Sequence, residues 1–139
     1  MHPMKKKLKN ILVKKPVEKP RKSAEKPRNG GLWTEARFTS FVTSALRGAS
    51  RRWPPKYTTL KSAYVERRRN KTTNRLANHY GCAKCKGTFP QREVQVDHIT
   101  PIGKGLTWNR FIEALFCEAE NLQVLCKVCH KEKTKNESR

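Results

Sequence analysis

Two Cys-x-x-Cys pairs, Cys82/Cys85 and Cys126/Cys129, are separated by forty residues and constrain the fold of this chain more than any other feature. The chain has 139 residues and is only 35% hydrophobic, and its first thirty are too polar and Pro/Lys-rich to join a core. Roughly a hundred residues remain for folding, a size at which a core is marginal unless something staples it. Four soft thiolates in two pairs close a tetrahedron around zinc. A redox Cys-x-x-Cys would come once, beside a βαβ pattern that is absent here, and in a reducing compartment thiolates stay free as ligands. Four protein ligands leave no open coordination position, so this zinc is expected to be structural and any reaction needs a second metal site. The fifth cysteine, Cys117, lies near the end of an apolar helix face and reads as a small buried hydrophobe.

Charge is the second constraint. The formal net charge is +21, with eleven Lys/Arg against two acids in residues 1–30, eleven against two in residues 31–78, and ten against seven in residues 79–139. The positive field therefore lies upstream of the cysteine module. A segment so unbalanced repels itself unless it meets a polyanion, and counterion release from phosphates makes nucleic acid the expected partner. An anionic membrane fits less well, because the basic tail has no aromatic residue and little amphipathic pattern. No apolar run is long enough to span a bilayer, and Met-His-Pro-Met-Lys-Lys-Lys lacks the apolar segment of a signal peptide. The expected setting is soluble and cytoplasmic, with no small-molecule cofactor.

Along the chain, residues 1–31 read as a disordered basic arm, 32–78 as a basic helical segment and 79–139 as the cysteine module, an α+β organisation. Order is expected from Trp33, with Thr34 and Glu35 opening a helix whose Phe38, Phe41, Val42, Ala45 and Leu46 share one face until Gly48. Arg51 to Pro55 form a basic corner, after which Pro55 opens a second helix carrying Tyr57, Leu60 and Tyr64 and ending in the cationic run Arg67-Arg68-Arg69. A third short helix is expected through Leu76 and Ala77. Gly81 to Gly87 read as a tight knuckle, Val94 and Val96 as a strand up to Asp97-His98, Trp108 to Phe116 as an amphipathic helix, and Cys126 to about Lys135 as the last helix.

Chemistry concentrates between the cysteine pairs. His130 follows Cys129 on a helix, where one residue turns the side chain by about 100°, so Cys129 can face zinc while His130 points elsewhere. Asp97 offers a hard oxygen and His130 an imidazole, a pair able to hold magnesium, manganese or nickel with positions left for water and phosphate. His98 is the side chain suited to take a proton from water near neutral pH. Strict alternation would send Asp97 and His98 to opposite faces, so a bend or bulge is expected there. Lys127, Lys131, Lys133 and Lys135, with Arg51, Arg52, Arg67, Arg68 and Arg69, are candidate phosphate contacts that position a duplex without reading its sequence. His79 reads as a packing or surface residue, and Trp108 and Phe111 as core.

Gly-Cys-x-x-Cys, then Val-x-Val-Asp-His-Ile-x-Pro, then Glu-Asn-Leu-Gln-Val-Leu-Cys-x-x-Cys-His-Lys-x-Lys-Thr resembles the HNH endonuclease family, especially the small zinc-containing members common in bacteriophages. The likeness runs from about Gly81 to Lys135, with a looser match upstream from Trp33. It implies a zinc-stapled beta-beta-alpha metal module (a His-Me finger, treble-clef-like) acting on DNA. By the same resemblance, His98 is the general base, Asn121 orients it or its loop, and Asp97 with His130 ligate the catalytic ion. A phage origin implies the host cytoplasm as location and packaging or replication proteins as further partners. The competing expectations are a non-catalytic zinc-finger protein binding DNA or RNA and an RNA-binding zinc ribbon; neither has a use for the Asp97, His98 and His130 set.

Overall fold

A computed structural model describes residues 22–138. The chain divides into two compact units, Met1–Glu35 and Ala36–Arg139. Most of the basic arm lies outside the described residues. Within the first unit, Arg28 and Trp33 exchange backbone hydrogen bonds of 3.1 and 3.0 Å. The intervening turn is carried by Asn29, Gly30 and Gly31, all at positive φ. The Arg28 guanidinium makes a two-pronged contact with Glu35 at 2.9 and 3.0 Å. Among the described residues, hydrogen-bonded structure thus begins at Arg28, ahead of Trp33, because Asn-Gly-Gly supplies the left-handed backbone a tight turn needs.

Among the described residues, four α-helices and five strands follow, all within the second unit except Glu35 at the start of the first helix. Helix α1 (Glu35–Ser50) forms where its apolar period demanded. Its covered stripe is narrower than expected: Phe38, Val42 and Leu46 are half-buried, whereas Ala45 is exposed and Phe41 is 60% exposed. The three half-buried residues face Trp108 and Ile112 across an apolar cavity of about 260 Å³. Helix α2 (Pro54–Ser62) opens on its two prolines, whose missing N–H groups cost nothing in a first turn, and ends at Ala63. The Trp53 indole before it donates to the Cys117 carbonyl at 2.7 Å and stacks edge-on against Phe116.

The expected helices through Tyr64 and through Leu76 are replaced by strands. Strands β1 (Tyr64–Arg69), β2 (Leu76–Gly81) and β3 (Thr88–Pro90) make an antiparallel sheet in that order. Two local causes favour this outcome. Tyr64 and Val65 prefer a pleated backbone. Asn70 then makes an Asx turn, its side chain accepting from Thr72 N–H at 2.8 Å, while Asn74 takes φ 55° to reverse the chain. Tyr80 is buried against Val94 and Val124. Arg67, Arg68 and Arg69 consequently lie along an exposed ribbon edge.

Strands β4 (Val94–His98) and β5 (Leu122–Cys126) form a separate antiparallel pair in unbroken register, from Val94↔Cys126 to His98↔Leu122. The connection between them carries helix α3 (Trp108–Leu115), capped by the Thr107 side chain. Leu115 of α3 is buried, but Ile112 and Trp108 are about two-fifths exposed, so Trp108 is not the core residue expected. Helix α4 (Lys127–Glu137) starts with no intervening loop, Cys126 Sγ accepting from Cys129 N–H at 3.4 Å as its N-terminal cap. Phe89 packs against both core clusters, one of Tyr80, Val94 and Val124 and one of Cys82, Leu125, Cys126 and Cys129. The fold is therefore mixed α+β with small sheets and a four-cysteine cluster, three of whose members belong to its core. Among the described residues no helix is long and apolar enough to cross a membrane.

Candidate metal centre and adjoining cleft

Cys82 and Cys85 sit on the turn between β2 and β3. Lys86, rather than a glycine, supplies its positive φ of 61°, closed by Cys82 N–H to Gly87 O at 2.9 Å and Lys86 N–H to Cys82 O at 3.0 Å. Gly87 is needed for space instead: a Cβ there would stand 2.8 Å from the Phe89 ring and 3.4 Å from Cys85 Sγ. Cys126 and Cys129 come from the junction of β5 and α4. The four sulfur atoms lie within 4.8 Å of one another. A tetrahedron with Zn–S bonds of about 2.3 Å has edges of about 3.8 Å, so these side chains can hold a metal ion such as zinc. Cys85 and Cys126 sulfurs are already 4.0 Å apart.

The electrostatics of the cluster fit a cation. Burial raises the Cys82 thiol, but backbone N–H groups at Cys126, Cys85 and Lys84 outweigh it and bring the value to about 6. Cys129 is pushed up to about 12 by its bond with Cys126, then by burial and the other sulfurs. One thiolate thus forms readily and opposes the next, as expected for negative charge crowded without its counter-ion. Among the described residues these four are the only group of three or more metal-ligating side chains so placed. Lys84 reaches Glu132 at 2.9 Å and ties the knuckle to α4.

The other end of the β4–β5 pair opens into a cleft of about 710 Å³ lined by Asp97, His98, Lys133, Glu137, Arg47 and Lys104, among others. The expected bulge at Asp97-His98 is absent, since β4 pairs with β5 residue for residue. Both residues reach one cleft because the strand ends at His98. The Asp97 carboxylate turns to α4, with Oδ1 3.5 Å from His130 Nε2 and Oδ2 2.8 Å from Lys133 Nζ. His98 turns to α3, its Nε2 3.2 Å from the Leu115 carbonyl. Asn121 joins the chain beyond the strand: its Oδ1 accepts from Thr100 N–H at 2.9 Å and its backbone oxygen from Ile99 N–H at 2.8 Å.

Four contributors escaped the sequence reading. Gln123 donates to Asp97 Oδ2 at 3.3 Å, a cross-strand neighbour that the hairpin register would have identified. The Leu115 carbonyl carries no side-chain signature. Arg47 and Lys104 line the cleft, whereas Arg51 and Arg52 are exposed at the turn after α1. Lys127, Lys131 and Lys135 are exposed on α4, but Lys133 is only 19% exposed and turns inward. Burial lowers its pKa, and the hydrogen bonds it donates to Asp97 and Glu137 more than restore it, so the net shift is upward. His79 is buried, its Nδ1 2.8 Å from the Ala77 carbonyl, which bears out a packing role. Cys117 is half-buried, with its carbonyl engaged by Trp53.

No family model matches the chain, and no solved structure matches it. A protein of Lactococcus phage SK1, named a probable HNH endonuclease, is 39% identical over 54 residues, which is 38% of this chain and 52% of that relative. The chain spans about half the length of the curated relative it matches. This likeness to a protein named a probable HNH endonuclease supports the HNH resemblance read from the sequence.

Proposed function

We propose that the chain is a metal-dependent HNH endonuclease that nicks or cleaves DNA, built on a beta-beta-alpha metal module in which β4, β5 and α4 frame the site. The observation that carries this reading is that Asp97, which lines one cleft with His98, stands 3.5 Å from His130 of α4. Ligands about 2.1 Å from an octahedral ion stand about 3 Å apart, so the pair fits a hard divalent ion such as magnesium, manganese or nickel. When bound, that ion would neutralise charge building on the phosphate and the departing oxygen.

The remaining work belongs to the side chains. If His98 Nε2–H donates to the Leu115 carbonyl, Nδ1 keeps its lone pair and can take the proton of an attacking water. Asn121 acts as a positioning residue, since its two hydrogen bonds hold Ile99 and Thr100 behind His98. The four thiolates take a structural zinc that fixes the start of α4. Exposed Arg51, Arg52, Arg67, Arg68, Arg69, Lys127, Lys131 and Lys135 hold flanking phosphates. In this reading residues 1–31 are a basic tether, 32–78 the DNA-binding segment and 79–139 the nuclease module, working in the host cytoplasm beside phage packaging or replication proteins.

The test is cleavage of supercoiled plasmid at low salt by zinc-loaded protein, with and without magnesium, manganese or nickel, against His98→Ala. The expected result is ion-dependent nicking that falls by about 10²–10⁴-fold in the variant while zinc content and DNA binding persist. Salt-sensitive binding without cleavage under any ion would instead identify a non-catalytic zinc-finger protein that binds nucleic acid.

A further inference from the structure

Lys133 makes three short contacts from one ammonium: Asp97 Oδ2 at 2.8 Å, the His98 carbonyl at 2.7 Å and Glu137 Oε1 at 2.6 Å. A lysine has three N–H donors and no acceptor, so this set uses every proton it has. Lys133 therefore has no donor left for a DNA phosphate, unlike the exposed Lys127, Lys131 and Lys135 of the same helix. Its contacts are to the carboxylate proposed as a metal ligand and to the backbone of the proposed base.

The two oxygens of Asp97 are divided. Oδ2 takes Lys133 and Gln123, while Oδ1 faces His130. An ion shared by Oδ1 and His130 would lie close to the ammonium, in a site where the Asp97 side chain is only 14% exposed. Like charges so near one another repel by an amount that partial burial leaves weakly screened.

We propose that Lys133 is a positioning residue that acts as the resting counter-ion of Asp97: it holds the Asp97-His98 strand end in place and weakens divalent-ion binding until it releases the carboxylate, with Glu137 retaining the freed ammonium. This inference rests on the nuclease reading above. It implies that the ion-binding pair is held in shape before the ion arrives, at a cost in affinity for the free protein.

The test is calorimetric titration of full-length, zinc-loaded protein with manganese in the absence of DNA, comparing wild type, Lys133→Met and Lys131→Met. Lys133→Met is expected to bind manganese about tenfold more tightly, the size of a typical coupling between neighbouring sites. Lys131→Met, the same charge change on the exposed side of α4, is expected to shift affinity less than about twofold. Should Lys133→Met not fold, Lys133→Gln keeps two N–H donors without the charge and is expected to move affinity in the same direction. Unchanged or weaker manganese binding in the Lys133 variants, or an equal shift in Lys131→Met, overturns the inference while leaving the nuclease reading intact. Absence of manganese binding in every protein overturns both, and the plasmid assay distinguishes that case.

Discussion

The two ends of the β4–β5 pair lie roughly 13 Å apart along the strands and are opposite in design. At the Val94/Cys126 end, soft sulfur donors sit in the hydrophobic core, three of the four buried. At the His98/Leu122 end, Asp97, His98 and Lys133 line a cleft open to solvent, with His130 3.5 Å from Asp97. A closed set of four identical donors satisfies an ion completely and serves stability. Two unlike donors beside a cleft leave positions for water and substrate, which is what chemistry needs. In the proposed reading, one strand pair separates folding from reaction by strand length alone.

Removing a thiolate should break the comparison at its closed end. Cys126→Ala takes away a proposed zinc ligand, the cap of α4 and a core side chain at once, and structural zinc accounts for about 10 kcal/mol or more in small domains. We expect loss of bound zinc and of cooperative thermal unfolding by circular dichroism; a folded, zinc-free variant would show that the hydrophobic clusters suffice. Gly87→Ala tests the same end more gently. With a Cβ 2.8 Å from the Phe89 ring, we expect a loss of about 1–3 kcal/mol in denaturant titrations, with zinc retained.

At the open end, Asn121→Ala removes the acceptor for Thr100 N–H and should cost about 1 kcal/mol. Plasmid cleavage should fall by about tenfold, more than that stability loss implies, if Asn121 positions the His98 loop. Equal zinc content and unchanged cleavage would reduce Asn121 to a loop cap. The smallest effect belongs to Lys84→Ala, whose bond to Glu132 is about half exposed on both sides. A stability change too small to move the unfolding midpoint clearly, and fading with salt, is expected. A larger one would mean that the tie between knuckle and α4 carries part of the closed end's rigidity.

The sequence reading did well where local pattern and final environment agree. The amphipathic periods of α1 and α3, the prolines opening α2 and the paired thiols each carry their own instruction. It failed at Tyr64 to Asn78, where arginines favour neither state strongly and burial of Tyr80 decides the outcome. Asp97, His98, Asn121 and His130 were readable as residue types in order, and the structure gathers them around one strand end. The partnerships of Lys133 with Asp97 and of His98 with Leu115 were hidden, because they join residues seventeen to thirty-six positions apart through packing that no local pattern records.

The direct passage from β5 into α4 has a mechanical consequence. With no loop between Cys126 and Lys127, the helix has no slack about its axis, and each residue along it occupies a fixed clock angle set by the thiolates. His130 and Lys133, three residues apart, differ by about 60° and so share a face. In the proposed reading zinc at one end works like a keyed shaft, and a single residue inserted between Cys129 and His130 would turn both side chains about 100° away from Asp97 with all four cysteines kept.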